Sequence, residues 1–345
     1  MLDLKQEVIN IKDDNEKAEV ERFLNLYKLT LDKDVDYTLV LRQRGEIVAT
    51  CSKAGRVLKC FAVKEELRGE GVASLLVTSL IDVLFDQGIY HCFVFTKPES
   101  TKIFTSLNFK LLAMGEKAAL LENGLYTIDR YIRSLRDKSG IIPGAAALVM
   151  NCNPFTLGHR YLIEKAAGEN SQVVVFVVEE DKSLFPFIDR IELVKQGISH
   201  LDNVLVIPGG EYIISSATFP SYFIRERGEI SKAFAQIDAE IFGKYFCREL
   251  GIKRRYIGME PYCETTNCYN EILKTTLPKY GVEVVEIPRC IEGGKPISAS
   301  SVRQLIKEGK LQEAAALIPL STLNFLNTVR GKEIMERIKS SSAPH

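Results

Sequence analysis

Thr156 and His159 stand on either side of Gly158 in NPFTLGHRYLIEKA, residues 153–166. A hydrophobic run, AAALVM (145–150), leads into this string, and an amphipathic pattern leaves it. A hydroxyl and an imidazole at the start of a helix are suited to holding an anion. The first helical N–H groups have no partner within the helix, and the positive end of the helix dipole gathers there. Pro154 ends the strand, and Gly158 lets a phosphate come close to the backbone. Thr156 adds a hydroxyl donor, and His159, in the first turn, reaches the same anion. Alone, a Gly-His pair at a helix start is only a capped helix with a surface histidine.

A second strand–turn–helix lies at FAVKEELRGEGVASLLVTSLI, residues 61–81. Gly69 and Gly71 sit in its turn and again make a cradle for an anion. By itself, a glycine-rich helix start is weak evidence.

Two domains must position these turns, because 345 residues exceed one ordinary domain. The first, residues 1–135, opens with a helix over 15–31 that carries Val20, Phe23, Leu24, Tyr27 and Leu31 on one face. YTLVLRQRGEIVATCSKAGRVLKCFAV (37–63) follows as an antiparallel meander with RG and AG turns. A helix over 72–87 ends at Gly88; YHCFVFTKP is a strand and ESTKIFTSLNF a short helix. RDKSGIIPG (136–144) is a polar linker with glycines and a proline. The second domain, 145–340, alternates. The strands AAALVM, QVVVFVVEE, NVLVIPGG, KRRYIGME and VEVVEIPR are separated by helices over 157–168, 189–200, 229–250 and 267–279. A helical extension runs from about 299, and SSSAPH is a frayed tail. Apolar strands alternating with helices predict a parallel sheet covered on both faces, a Rossmann-like, doubly wound α/β domain. Its ligands belong outside the carboxyl ends of the strands. The turn at 153–159 stands at such an end.

Composition excludes several classes. Basic and acidic residues balance at 45 each, which argues against a general nucleic-acid or anionic-membrane binder. The N-terminus lacks the apolar core of a signal peptide, and no run is long enough to span a bilayer. Among the eight cysteines there is no Cys-x-x-Cys pair, and Cys263, Cys268 and Cys290 lack zinc spacing. Buried reduced thiols in a cytoplasmic protein are the expectation, with no metal held by the chain.

With its neighbours, the 153–159 string resembles the Thr-x-Gly-His form of the nucleotidyltransferase superfamily signature. PISASSVRQLI (296–306) resembles the second signature of that superfamily, Ile-Ser-Ser-Thr-x-x-Arg, with Ala299 and Ser300 departing from it. The resemblance implies that ATP is bound by Asn153, Pro154, Phe155, Gly158, Ser298 and Ser300, and that Thr156, His159 and Arg303 serve catalysis. Gly258 and Glu260, in YIGMEP, match the loop that contacts nucleotide. Mg²⁺ would be held mainly by the ATP phosphates. Arg68-x-x-Gly71-x-Ala73 resembles the motif of GNAT acetyltransferases. There the loop N–H groups around Arg68, Gly69, Gly71 and Ala73 take a CoA-type pyrophosphate, and the strand at Val63 takes the pantetheine amides.

The two modules together resemble the citrate (pro-3S)-lyase ligase family over nearly the whole chain. That resemblance implies an ATP-dependent acid–thiol ligase. Acetate would be activated as acetyl-AMP with release of pyrophosphate. The acetyl group would pass to the thiol of the dephospho-CoA-derived group on the citrate lyase acyl carrier protein. Neither nucleic acid nor membrane is an expected partner. Three alternatives stay open: an adenylyltransferase making a nucleotide cofactor, fused to an acetyl-CoA-dependent acetyltransferase; a first domain with that acetyltransferase activity of its own; and a non-catalytic CoA/ATP sensor.

Overall fold

A computed structural model describes residues 3–341, except 180–182, 214–221, 225, 262 and 293. The end of the tail, 342–345, lies outside the described residues. The chain forms two compact units, Met1–Tyr131 with Phe219–Glu240, and Ile132–Thr218 with Ile241–His345. This division differs from the single linker expected at 136–144. Residues 136–138 belong to a helix, α4 (Ile128–Lys138), and a segment from the middle of the second domain groups with the first unit.

Among the described residues, the first unit is built on a sheet of seven strands: β1 (Lys5–Ile9), β2 (Tyr37–Gln43), β3 (Glu46–Ala54), β4 (Val57–Val63), β5 (His91–Thr96), β6 (Lys110–Met114) and β7 (Ala119–Gly124). Their order is β1-β2-β3-β4-β5-β7-β6. Helix α1 (Asp14–Leu26) starts where the Asp13 carboxylate accepts the N–H groups of Asn15 and Glu16. Helix α2 (Val72–Asp86) buries Val72, Leu76, Leu80 and Leu84, a four-residue repeat that puts all four on one face. They meet Leu39, Leu41 and Val94 in the core. Leu80→Ala would cost about 2–5 kcal/mol there. A short helix, α3 (Thr101–Thr105), precedes β6.

The pair β4/β5 is parallel, and its ladder holds only Val57 with Phe93 and Leu58 with Val94. Past Leu58 the β4 backbone turns aside at Cys60, which takes a φ of 54°. The register with β3 shifts in the same region. An irregularity of this kind re-aims a strand, and β4 is left free to diverge from β5.

Among the described residues, the second unit has a sheet of five parallel strands: β8 (Ala146–Met150), β9 (Val173–Val177), β10 (Val204–Pro208), β11 (Arg254–Gly258) and β12 (Glu283–Ile287). Their order, β10-β9-β8-β11-β12, reverses direction between β8 and β11. Every residue of β9 (VVVFV) is buried, as a strand covered on both faces requires. The helices of this unit's crossovers include α5 (Leu157–Glu169), α6 (Phe187–Gly197) and, later, α9 (Glu264–Thr276), whereas α7 (Arg227–Ile241) falls almost wholly in the segment that groups with the first unit. The long helix expected over 229–250 is α7 continued by a π stretch, Phe242–Cys247, and a last turn, α8 (Arg248–Leu250). The extension forms α10 (Ala299–Lys307), α11 (Leu311–Ala315), α12 (Leu320–Leu326) and α13 (Val329–Ser340). Val302, Ile306, Ile334 and Ile338 from this extension join Leu148, Val175 and Ile163 in one core. No helix among the described residues is long and apolar enough to cross a membrane.

Candidate active site

The turn from β8 into α5 is closed by a reciprocal cap. Thr156 Oγ1 accepts the His159 N–H at 3.3 Å, and His159 Nδ1 accepts the Thr156 N–H at 3.1 Å. The Thr156 hydroxyl also lies 2.9 Å from Nδ1. An Nδ1 that accepts a backbone N–H carries no proton, so the ring proton sits on Nε2. Burial lowers the His159 pKa from 6.5 to about 4, with the Arg289 charge as a second cause. His159 is thus a neutral imidazole with a fixed tautomer and one donor, Nε2–H. The Phe155 ring stacks against it, with centroids 6.0 Å apart.

Gly158 lies beside the second signature. A Cβ on Gly158 would stand 3.1 Å from the Ile297 carbonyl oxygen. A side chain at Gly158 would crowd that carbonyl, so the glycine favours close approach of the two turns. Just past Ile297, Ser298 caps α10 by accepting the Ser301 N–H at 3.0 Å. The Ser300 hydroxyl lies 3.0 Å from the Ser298 hydroxyl.

A cleft of about 330 Å³ opens at the carboxyl ends of β8, β11 and β12, where the strand order reverses. Thr156, Gly158, His159, Gly258, Glu260 and Ser298 line it. Sequence reasoning missed Arg289, which also lines the cleft and pairs with the Glu260 carboxylate. Its sole local signal was a basic residue two positions past the end of β12.

Asn153, Pro154, Phe155, Ser300 and Arg303 are not in the lining of this cleft. Asn153 is buried and accepts the Phe185 N–H through Oδ1 at 3.1 Å. Phe155 is wholly buried, and its carbonyl takes the Thr322 hydroxyl at 2.9 Å. Arg303 is also buried, and its Nη1 donates to the Asn153 carbonyl. A further cation, Arg190, wholly buried, gives Nη1 to the Asn151 carbonyl at 2.7 Å and Nε to the Phe185 carbonyl at 2.9 Å. These groups hold the 151–155 backbone from behind. Cys152 is buried too, and burial pushes its thiol up to about 12, so no thiolate is available there.

In the first unit, a cleft of about 670 Å³ lies where β4 and β5 diverge. Val63, Arg68, Gly69, Gly71 and Ala73 all line it. Gly71 caps α2 with a φ of 78°, and a Cβ there would meet nothing within 4 Å. The α2 N–H groups thus face open space beside a left-handed glycine. Arg68 is exposed and lies 3.5 Å from Glu65. Tyr222, from the segment that groups with this unit, also lines the cleft. Its hydroxyl donates to the Phe95 carbonyl at 2.6 Å, and its own carbonyl accepts the Thr30 N–H at 2.9 Å. Nothing local in the sequence pointed to that placement.

Comparison with known proteins agrees with this two-part construction. The family described as Citrate lyase ligase C-terminal domain matches residues 145–326, and the Acetyltransferase (GNAT) family matches residues 6–104. The chain is 39% identical to the citrate (pro-3S)-lyase ligase of Klebsiella pneumoniae, covering 92% of this chain and 94% of that one. It is 37% identical to the enzyme of the same name from Escherichia coli K12, covering 92% of each. Among solved structures, a GNAT-family acetyltransferase from Staphylococcus aureus Mu50 is similar at 16% identity and a TM-score of 0.30, over 35% of this chain and 99% of that one. A GNAT-like domain precedes a nucleotidyltransferase-like one, and the chain belongs to the citrate (pro-3S)-lyase ligase family, as an enzyme of that ligase type.

Proposed function

We propose that the second unit activates acetate with ATP and that the acetyl group then passes to the thiol of the prosthetic group on the citrate lyase acyl carrier protein. One observation carries most of this: the Gly158–Ile297 contact sets two phosphate-type helix starts side by side on a single cleft. The ATP phosphates lie across the N-termini of α5 and α10, where N–H groups and dipole ends converge. Ser298 adds a hydroxyl. Neutral His159 donates Nε2–H to an oxygen on which charge grows as pyrophosphate leaves. Arg303 acts at one remove, by holding the Asn153 carbonyl and so the turn.

An acetate oxygen attacks the α-phosphorus, the bond to the β-phosphate breaks, and its electron pair leaves with pyrophosphate. The carrier thiolate then attacks the acetyl carbon, and AMP departs with the oxygen that acetate brought. The protein contributes positioning and fixed dipoles, which suffices for such a displacement. No group of three or more His, Cys, Asp or Glu residues that could hold a metal occurs among the described residues. Magnesium enters with the nucleotide, on its phosphates. The cleft of the first unit takes the CoA-type arm of the carrier, with its phosphates at the α2 N-terminus.

Exchange of labelled pyrophosphate into ATP tests the activation step. Exchange should require acetate, and His159→Ala should lower it about 100- to 1000-fold, as loss of one oxyanion donor does. Exchange driven by phosphopantetheine or a mononucleotide, and indifferent to acetate, would favour a cofactor adenylyltransferase instead.

A further inference from the structure

Arg255 carries a guanidinium to which the chemistry above gives no task. It is 2% exposed, yet among the described residues no acceptor meets its Nε or Nη1. Its cross-strand neighbours are Ala147 on β8 and Val284 on β12, whose side chains offer no acceptor. The Phe242 ring lies over it, 4.3 Å from Cζ. The ring's π face attracts the cation but accepts none of its N–H groups in the plane of the fork. Arg255 also lines the cleft that Thr156, His159 and Ser298 share. A buried cation with two unmet donors is costly, and an anion entering from the cleft lowers that cost.

We propose that Arg255 anchors the carboxylate of the acid substrate. The planar fork matches a carboxylate and grips it through paired N–H···O bonds. With the carboxylate held so, one oxygen keeps a lone pair free for the α-phosphorus. As the O–P bond forms, the negative charge shared by the carboxylate passes through phosphorus to the departing pyrophosphate. The apolar ring of Phe242 shields the pair from water, which strengthens it. A triphosphate oxygen is the other anion this cation could take. The carboxylate is favoured because the phosphates already have two helix starts and the Ser298 hydroxyl. This inference rests on the proposed function.

The test uses the full chain with Arg255→Met and Arg255→Lys, and has two arms. In pyrophosphate exchange, Arg255→Met should raise the KM for acetate at least about tenfold, while the KM for ATP stays within about twofold. Arg255→Lys keeps the charge without the fork and should fall between. In thermal unfolding without nucleotide, acetate should raise the Tm of the unaltered protein and leave that of Arg255→Met unchanged. Unliganded Arg255→Met should melt no lower than the unaltered protein, because an unpaired buried charge has gone; a merely structural arginine would give a lower Tm. An unchanged KM for acetate, or a raised KM for ATP alone, overturns the assignment. If the unaltered protein shows no acetate-dependent exchange, the proposed function fails, and the thermal arm still decides whether Arg255 binds carboxylates. If Arg255→Met does not fold, Arg255→Lys decides both arms, and normal acetate affinity in it overturns the inference.

Discussion

Gly158 lies against Ile297 with no room to spare: a Cβ on the glycine would lie 3.1 Å from the Ile297 carbonyl oxygen and 3.5 Å from its Cβ. The obstructing atom belongs to the backbone, so no rotamer change relieves it. Gly158→Ala should therefore push the two turns apart by a few tenths of an ångström. The repacking cost of about 1–3 kcal/mol is offset by a helix-propensity gain of about 1 kcal/mol. Stability in urea should fall by no more than about 2 kcal/mol, the difference of those terms. Acetate-dependent exchange should fall at least about tenfold, because positioning is what the turns supply. Normal exchange by the folded variant would mean that the contact does not set the site.

The proton on His159 gives a pH signature. In the folded protein the ring stays neutral until pH falls to about 4, whereas in the unfolded chain it protonates near 6.5. Between those values the unfolded chain binds more protons, so this residue removes stability as pH falls from about 6.5 to about 4, and nothing further below. The chain has four histidines, few enough to assign by NMR. The Cε1–H resonance of His159 should titrate near pH 4. A midpoint of about 6.5, the free value, would mean a solvated ring and a different proton position.

Arg303 separates two roles that a kinetic assay alone confuses. A phosphate-binding arginine on an open surface can be removed without loss of stability. Arg303 is buried and donates to the Asn153 carbonyl. Arg303→Ala should lower unfolding stability by about 1.5–3 kcal/mol, and exchange should fall with it. An unchanged urea midpoint with weaker ATP binding would move Arg303 into direct contact with phosphate.

The first unit is tested by Gly71→Asp. The left-handed φ of 78° makes any side chain there strained, and the open space beside it is where an anion would lie. A carboxylate in that space repels phosphate. Acetate-dependent exchange should be unaffected, while acetyl transfer to limiting carrier protein should fall severalfold. Transfer at the normal rate would mean that this cleft does not hold the carrier's arm.

Much of the fold could be read from local pattern. VVVFV announces a strand buried on both faces, and Thr156, Gly158 and His159 mark a helix start whose cap the structure closes as Thr156–His159. Lys5–Ile9 escaped notice because KQEVI is mostly polar, as suits the edge strand it forms with β2. Arg303 was legible in part: it falls with Val302 and Ile306 on the buried stripe of α10, which points it inward. Arg254 and Arg255 are identical letters with opposite fates. The first pairs with Glu283 at the surface; the second, one step along the strand, faces inward beneath Phe242. The partner of Gly158 and the arrival of Tyr222 at the β4/β5 opening are tertiary facts, and nothing in the local residues encodes them.

Activation of acetate on the α-phosphorus of ATP leaves an isotopic trace. Acetate labelled with ¹⁸O in both carboxylate oxygens, incubated with ATP, the carrier protein and this enzyme, follows the oxygen directly. The acetate oxygen that attacks phosphorus must stay on the phosphate when the thiol takes the acetyl group. Mass spectrometry should find one ¹⁸O in each AMP formed and none in pyrophosphate. AMP without ¹⁸O alongside acetylated carrier, or label in pyrophosphate, would mean that acetate does not attack the α-phosphorus.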